Sequence, residues 1–201
     1  MTFLIDIGRV LLDFRFEPSL AILLPAGTLN PDERLARLMA RKDEFEAGKI
    51  DVPMYVDWAL EVLGSPASHE QFIEAWRRIF TPNEPMWRTI RQLAADRHRM
   101  ILFSNINAIH CPWLFEEFPE FSLFDGAVLS HQTGHIKPQP EIYQHAIRTH
   151  ALEPEKTLYI DDLADNIAAG RSFGFRCWQY DLHDHTAFED WLASELAVSE
   201  V

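Results

Sequence analysis

Cysteine is nearly absent: Cys111 and Cys177 are the only two among 201 residues. Two cysteines make no disulfide framework, and neither belongs to a CxxC pair, so both are expected as reduced thiols in or near a core. No apolar run approaches the roughly 20 residues of a membrane span. The start, MTFLIDIGRVLL, is apolar but carries Asp6 inside the run. A secretion signal keeps positive charge ahead of its run and ends in small residues, so a reduced, cytoplasmic setting is expected. Positive charge is scarce as well. Lysine and arginine number 18 against 31 aspartate and glutamate, a formal charge of −13. That balance argues against nucleic acid or an anionic membrane as a main partner. A pocket for an anionic substrate must then supply its own positive charge from a metal, a lysine or helix N-termini.

There is no internal repeat and no low-complexity linker. Hydrophobic residues make up 47% and charged residues 24%, enough for a sizeable core. Five short apolar runs have strand length: Phe3–Ile7, Met100–Ser104, Ala127–Ser130, Thr157–Asp161 and Phe175–Tyr180. Helical patterns lie between the late ones, at Pro140–His150 and Asp165–Phe173, the second ended by Gly174. Strands alternating with helices predict an α/β fold, a parallel sheet covered on both faces. From about residue 16 to 97 the chain reads as helices without a strand. Asn30 with Pro31, Asp32 and Glu33 predicts a helix start, carried by Leu35, Leu38, Met39 and Phe45 as far as Gly48. Asp51 and Pro53 open a second helix that runs to Gly64. Ser68 with Gln71 forms a capping box for a third. A fourth follows Pro85 and is assigned to the core. An all-helical stretch between the first two strands is an insertion, expected to cover a site as a lid.

In open α/β sheets, ligands bind beyond the carboxyl ends of the strands. Those ends carry Asp6, Ser104, Asn105, Asp161 and Asp162, with Lys137 in the loop after the third run. These are the groups phosphoryl transfer needs: a nucleophilic carboxylate, a cation, donors for phosphate oxygens, and carboxylates for a metal. Each has a plainer reading, as turn former or surface charge. Asp161 and Asp162 are the most telling pair, because adjacent carboxylates repel and are costly to bury unless a divalent cation and a lysine compensate. Asp165 reads as an N-cap, Asp13 as another, and the His183–His185 pair as a surface turn.

Leu-Ile-Asp6-Ile-Gly8-Arg-Val-Leu-Leu-Asp resembles the first motif of the haloacid dehalogenase superfamily. Leu-Phe-Ser104-Asn105 resembles its second, Lys137-Pro138 its third, and Tyr-Ile-Asp161-Asp162 with Asn166 its fourth. The order matches and the motifs span nearly the whole chain. The nearest likeness is to bacterial sugar-phosphate phosphatases of the α-D-glucose-1-phosphatase type, carried by the Asp-x-Gly first motif and Lys-Pro…Ile-Tyr-Gln-His up to His145. The resemblance implies a Rossmann-like core over 1–15 and 84–201 and a helical C1-type cap over 16–83. It implies that Asp6 attacks phosphorus, and that Ser104, Asn105 and Lys137 hold the phosphoryl oxygens. It further implies that Mg²⁺ is bound by Asp6, the carbonyl of Gly8 and Asp162, with Asp161 orienting Lys137 or a metal-bound water. The expected substrate is a small phosphorylated metabolite, with glucose 1-phosphate the leading single guess.

Most phosphatases of this superfamily carry an aspartate two residues after the nucleophile as general acid and base; Gly8 stands there instead. The metal contact survives, because it uses the main chain, whereas the proton transfer loses help typically worth about 10²–10⁴-fold. Esters with acidic leaving groups, sugar 1-phosphates among them, are then expected to be preferred. Arg9 stands where that branch often has asparagine. The turn Glu44–Ile50 is expected to reach over the site, with Glu46 against the substrate and Lys49 beside it. Two other readings stay open: a catalytically weak phosphate- or protein-binding module, and a haloacid dehalogenase, against which the Asp161–Asp162 pair counts because that reaction needs no magnesium.

Overall fold

A computed structural model describes residues 1–198. The chain runs β1 (Thr2–Ile5), β2 (Leu12–Phe14), then the helices α1 (Phe16–Ala21), α2 (Pro31–Arg37), α3 (Lys42–Glu46), α4 (Val52–Leu63) and α5 (His69–Arg77). It continues with β3 (Phe80–Pro82), α6 (Glu84–Ala95), β4 (Arg99–Ser104), α7 (His110–Glu117), β5 (Gly126–Leu129) and α8 (Ser130–Thr133). Last come α9 (Pro140–His150), β6 (Thr157–Asp161), α10 (Ala164–Ser172), β7 (Arg176–Gln179) and α11 (His185–Val198). Five strands form a parallel sheet in the order β5-β4-β1-β6-β7. This is the expected α/β architecture, with every apolar run of strand length placed in the sheet.

Side chains of a strand point alternately to its two faces, so a run that is apolar throughout must have both faces covered. In β1, Phe3 and Ile5 pack on one side with Met86, Trp87 and Ile90 of α6 and Phe188 of α11. Leu4 packs on the other with Ile142 and Tyr143 of α9 and Ile167 of α10. Met100 and Leu102 of β4 repeat the first side, Ile101 and Phe103 the second. The chain leaves β1 toward β4 and β5, then returns to place β6 on the other flank of β1. That reversal opens a crevice at the carboxyl ends of the central strands.

The helices α1–α5 and the 3₁₀ turn Leu38–Arg41 build a second apolar cluster, with Leu38, Phe45, Tyr55, Val56, Phe72 and Trp76 buried together and Ile109 joining them from the other side. Phe45 and Tyr55 stack with ring centroids 4.0 Å apart. Two starts follow the predicted chemistry: Asp51 accepts from the Met54 N–H at 2.9 Å, and the Ser68–Gln71 capping box is complete.

Four local expectations are corrected. The pattern from Asn30 to Gly48 is not one helix, because a 3₁₀ turn at Leu38–Arg41 separates α2 from α3. Asn30 is left-handed (φ 54°) and makes no cap bond; its side-chain amide donates to Glu33 instead. The segment is not free of strand, since β3 pairs antiparallel with β2, which also makes Asp13 a strand residue rather than a cap. Asp165 lies inside the first turn of α10, whose cap position is Leu163.

Candidate active site

The ladder hydrogen bonds deliver Asp6, since its N–H donates to the Ile160 carbonyl at 3.0 Å, one step beyond the end of β1. Asp161 ends β6 one strand away, and Ser104 ends β4 on the other side. Asp6, Asp161 and Asp162 each offer a carboxylate oxygen, and these oxygens all lie within 4.8 Å of one another.

Lys137 is the cation among them. Its Nζ donates to the Phe103 carbonyl and to Asp161 Oδ2, both at 2.6 Å, and sits 3.0 Å from Asp6 Oδ1. Asn105 fixes its main chain: the Asn105 amide donates to the Lys137 carbonyl at 2.9 Å and accepts from the Lys137 N–H at 2.7 Å. The Asn105 side chain is therefore committed to the lysine loop, and its main-chain N–H is the part left for a phosphate oxygen.

Asp161 is fully buried and saturated. Beside Lys137 it accepts from the Tyr159 hydroxyl (2.6 Å), the Leu163 N–H (2.9 Å) and the Asn166 amide (2.9 Å). Such a carboxylate holds its neighbours in place and has little left to offer an ion. Asp6 differs. Its Oδ1 is buried and has one ion-pair partner, the Lys137 ammonium 3.0 Å away, so it is far less engaged than the Asp161 carboxylate.

Electrostatics follow from gathering two buried carboxylates and the half-buried Asp162 around one lysine. Burial pushes Asp6 up to about 6, and Asp161 adds to the rise, while Lys137 pulls it down. Burial also raises Asp162 to about 7, with Asp6 and Asp161 adding to it. For Lys137, burial disfavours the charge, but Asp161 and Asp6 outweigh it and its affinity for the proton rises. The two sides differ because the single cation is shared, and Asp161 has its better-aligned bond. The site is short of positive charge where Asp6 and Asp162 face each other.

These residues open on a cavity of about 270 Å³. Its floor is Asp6, Gly8, Ser104, Asn105, Lys137 and Asp162. Its roof comes from the helical segment: Met39, Lys42, Phe45, Glu46, Tyr55 and Trp76. Asp6 Oδ1, Glu46 Oε2 and Trp76 Nε1 are buried without a hydrogen bond, and all three line this cavity. Buried polar atoms are normally satisfied, so three in one cavity mark a place for a polar ligand.

Gly8 lies in the tight turn after Asp6, where the Leu11 and Leu12 N–H groups both return to the Ile7 carbonyl at 2.9 Å. A Cβ at position 8 would stand 3.2 Å from the Phe14 ring. Arg9 also lines the cavity, where it pairs with Asp13 at 2.6 Å and lies 4.8 Å over the Phe14 ring. Lys49 is exposed and does not line the cavity, whereas Glu46 does. The His183–His185 pair joins no metal-binding cluster among the described residues; His185 instead faces the Tyr180 hydroxyl at 3.0 Å.

Sequence reasoning missed Asn107, His110 and Ser130. The His110 ring is bonded on both nitrogens, to the Trp76 carbonyl (3.0 Å) and the Asn107 amide (3.1 Å), and burial pushes it down to about 3. It is a neutral strut between α7 and α5. Asn107 Oδ1 accepts from the N–H groups of Ile109 and His110, a capping pattern that the sequence does display.

Comparison with known proteins agrees with this geometry. The profile of the haloacid dehalogenase-like hydrolases matches residues 26–174. A D-ribitol-5-phosphate phosphatase of Bacteroides thetaiotaomicron is 28% identical over 186 residues, 87% of this chain and 88% of that protein. A sesquiterpene phosphatase of Aspergillus oryzae is 29% identical over 136 residues, 66% of this chain and 68% of that one. Among solved structures, a haloacid dehalogenase family enzyme of Bacteroides thetaiotaomicron, in complex with magnesium and inorganic phosphate, superposes with a TM-score of 0.77. It is 23% identical, covering 90% of this chain and 94% of the other. With the profile matched over most of its length, the chain belongs to the haloacid dehalogenase-like hydrolases.

Proposed function

We propose that this hydrolase is a Mg²⁺-dependent phosphomonoesterase acting on a small organic monophosphate through an aspartyl-phosphate on Asp6. The observation that carries the reading is Asp6 Oδ1, buried at the floor of a small cavity, 3.0 Å from the Lys137 ammonium and beside Asp162. The Bacteroides and Aspergillus oryzae relatives described above are each named as phosphatases.

The donor set fits a hard divalent cation. Carboxylate and carbonyl oxygens suit magnesium, and two poorly compensated carboxylates face each other here. Asp6, the Gly8 carbonyl and Asp162 would hold it. Bound there, it supplies positive charge against the phosphoryl oxygens. The protein's own groups do the rest. Lys137, the Ser104 hydroxyl and the Asn105 N–H hold the non-bridging oxygens. Asp6 attacks phosphorus and the alcohol leaves; water then attacks the phosphorus of the aspartyl-phosphate and frees Asp6. Asp161 holds the Lys137 ammonium beside Asp6, 3.0 Å from its Oδ1.

Residues 16–83 act in this reading as a cap over a core of 1–15 and 84–201. Their apolar cluster supports it, as does the roof they give the cavity. That roof is largely aromatic and aliphatic, with Phe14, Phe16 and Phe80 continuing it, so it favours a leaving group with apolar surface. The unpaired Cys111 and Cys177 accord with a reducing, cytoplasmic setting.

The test is turnover of a panel of monophosphates with Mg²⁺ and after EDTA treatment. Glucose 1-phosphate, expected from the sequence, belongs in it beside ribitol, prenyl, alkyl and aryl phosphates. Mg²⁺-dependent release of phosphate supports the reading. Activity undiminished by EDTA, or no activity on any member, overturns it.

A further inference from the structure

Gly8 leaves the reaction without the proton donor that most phosphatases of the superfamily place two residues after the nucleophile. We propose that Glu46, on the roof of the cavity, is the proton-transfer residue of this hydrolase, protonating the leaving oxygen and then deprotonating the attacking water. The inference rests on the phosphomonoesterase reading and extends it.

Direction is the first support. An in-line displacement puts the leaving oxygen on the far side of phosphorus from the attacking Asp6 oxygen. With the phosphoryl group on the floor, the ester oxygen points to the roof. Of the roof residues Met39, Lys42, Phe45, Glu46, Tyr55 and Trp76, Glu46 alone has a carboxyl group.

Elimination is the second. His110 has both ring nitrogens engaged and burial holds it neutral. The Tyr55 hydroxyl faces the Leu38 carbonyl, and burial strengthens its hold on its proton. Arg9 is paired with Asp13. Asp6 and Asp162 are given to the nucleophile and the cation.

Position is the third. Glu46 is the last residue of α3, and the turn behind it is clamped to the core. The Ser130 hydroxyl donates to the Glu46 carbonyl at 2.5 Å. Gly48 is left-handed (φ +65°) and passes so close that a Cβ there would stand 2.3 Å from the His131 carbonyl oxygen. The carboxyl is thus brought to the cavity on a fixed backbone while its Oε2 makes no hydrogen bond. Its ion-pair partner there is Lys42, whose Nζ lies 3.1 Å from that oxygen.

Its environment suits proton exchange near neutrality. Burial raises Glu46 to about 7; Lys42 opposes the rise, and Asp43 and Asp6 add to it. The groups around it are Lys42 and Asp43 of its own helix, Tyr55 of α4, Asp6 beyond β1, and His131 of α8 behind the turn. A donor with its affinity near the working pH can both give and retake a proton.

The balance closes. In the first step the Asp6 oxygen bonds to phosphorus, the phosphorus–ester oxygen bond breaks, and the Glu46 proton goes to the leaving alcohol. In the second, water bonds to phosphorus and the phosphorus–Asp6 oxygen bond breaks. One water proton returns to Glu46, and hydrogen phosphate leaves.

The experiment compares wild type, Glu46→Gln and Glu46→Asp on an alkyl phosphate and on p-nitrophenyl phosphate, with Mg²⁺. Glu46→Gln is expected to lose at least about 10²-fold in kcat/KM on the alkyl ester and under about 10-fold on the aryl ester, whose leaving group needs no proton. On the aryl ester it is also expected to show a burst of nitrophenol followed by slow turnover, because the second step still needs its base. Glu46→Asp should recover part of the alkyl activity. A merely structural role would lower both esters equally, without a burst, and that result overturns the proposal, as does a Glu46→Gln enzyme within about twofold of wild type on the alkyl ester. Wild type inert on both esters would instead overturn the phosphatase reading beneath it.

Discussion

The hydroxyl of Ser130, the first residue of α8 just past strand β5, donates a 2.5 Å hydrogen bond to the carbonyl of Glu46, 84 residues earlier in the helical segment. The same oxygen accepts from the Ile106 N–H at 2.9 Å, so one buried hydroxyl ties the roof of the cavity to the loop that follows Ser104.

Ser130→Ala leaves the Ile106 N–H and the Glu46 carbonyl unpaired in the interior. Stability should fall by about 1–3 kcal/mol. Because the roof is no longer registered on the floor, kcat/KM should fall by roughly 10-fold or more. Thermal unfolding and steady-state kinetics on one alkyl phosphate check both. An unchanged kcat/KM would show that this clamp does not set the working geometry.

The crowded carboxylates predict how pH and magnesium act on stability. Asp6 and Asp162 are raised to about 6 and about 7 from the usual carboxylate range, so the metal-free fold binds their protons more tightly than the unfolded chain does. Their contribution to stability is fully present below about pH 4 and is lost as pH rises through 6 and 7. A cation bound to the deprotonated pair reverses that loss. The rise in Tm on adding Mg²⁺ should therefore be larger at about pH 8 than at about pH 5. Asp162→Asn should raise the Tm of the EDTA-treated protein at the higher pH and abolish most of the Mg²⁺ effect. An equal Mg²⁺ shift at both pH values would contradict this.

Much of this was legible in the sequence, and the failures share a cause. The stretches 3–5, 100–103 and 158–160 are apolar at every position, which strands covered on both faces require, and they became the sheet. Asp51 and Ser68 capped their helices because a cap bond is made within four residues. Asp13 was misread because its strand partner is Thr81, and nothing local announces a pairing that distant. His110 and Ser130 were missed for the same reason, their partners being Trp76 and Glu46. Asn30 shows another limit: asparagine serves as a cap and also tolerates left-handed backbone, and here it took the second role. At the site, the motif residues Asp6, Ser104, Lys137, Asp161 and Asp162 could be placed at strand ends. How unequally they are engaged could not be read, since that depends on the four donors that Asp161 collects while Asp6 Oδ1 has Lys137 beside it.

Position 8 gives a test from the opposite side of the cavity. A Cβ there would meet the Phe14 ring at 3.2 Å, so Gly8→Asp alone must push the ring aside. In the Glu46→Gln background, Gly8→Asp combined with Phe14→Leu should restore part of the lost turnover on alkyl phosphates, because a carboxyl group returns near the leaving oxygen. The comparison is kcat/KM of the single, double and triple variants. A triple variant no better than Glu46→Gln would mean that the missing group is not a proton donor.

The central claim is a covalent phosphoryl group on Asp6. Wild-type enzyme turning over an aryl phosphate with Mg²⁺ is quenched in acid within one turnover, digested, and read by mass spectrometry at the peptide carrying Asp6. One added phosphoryl group, labile to hydroxylamine, is expected on that peptide, with neither the group nor turnover in Asp6→Asn. Steady release of phosphate by Asp6→Asn, or wild-type turnover with no phosphoryl group on Asp6, would contradict it.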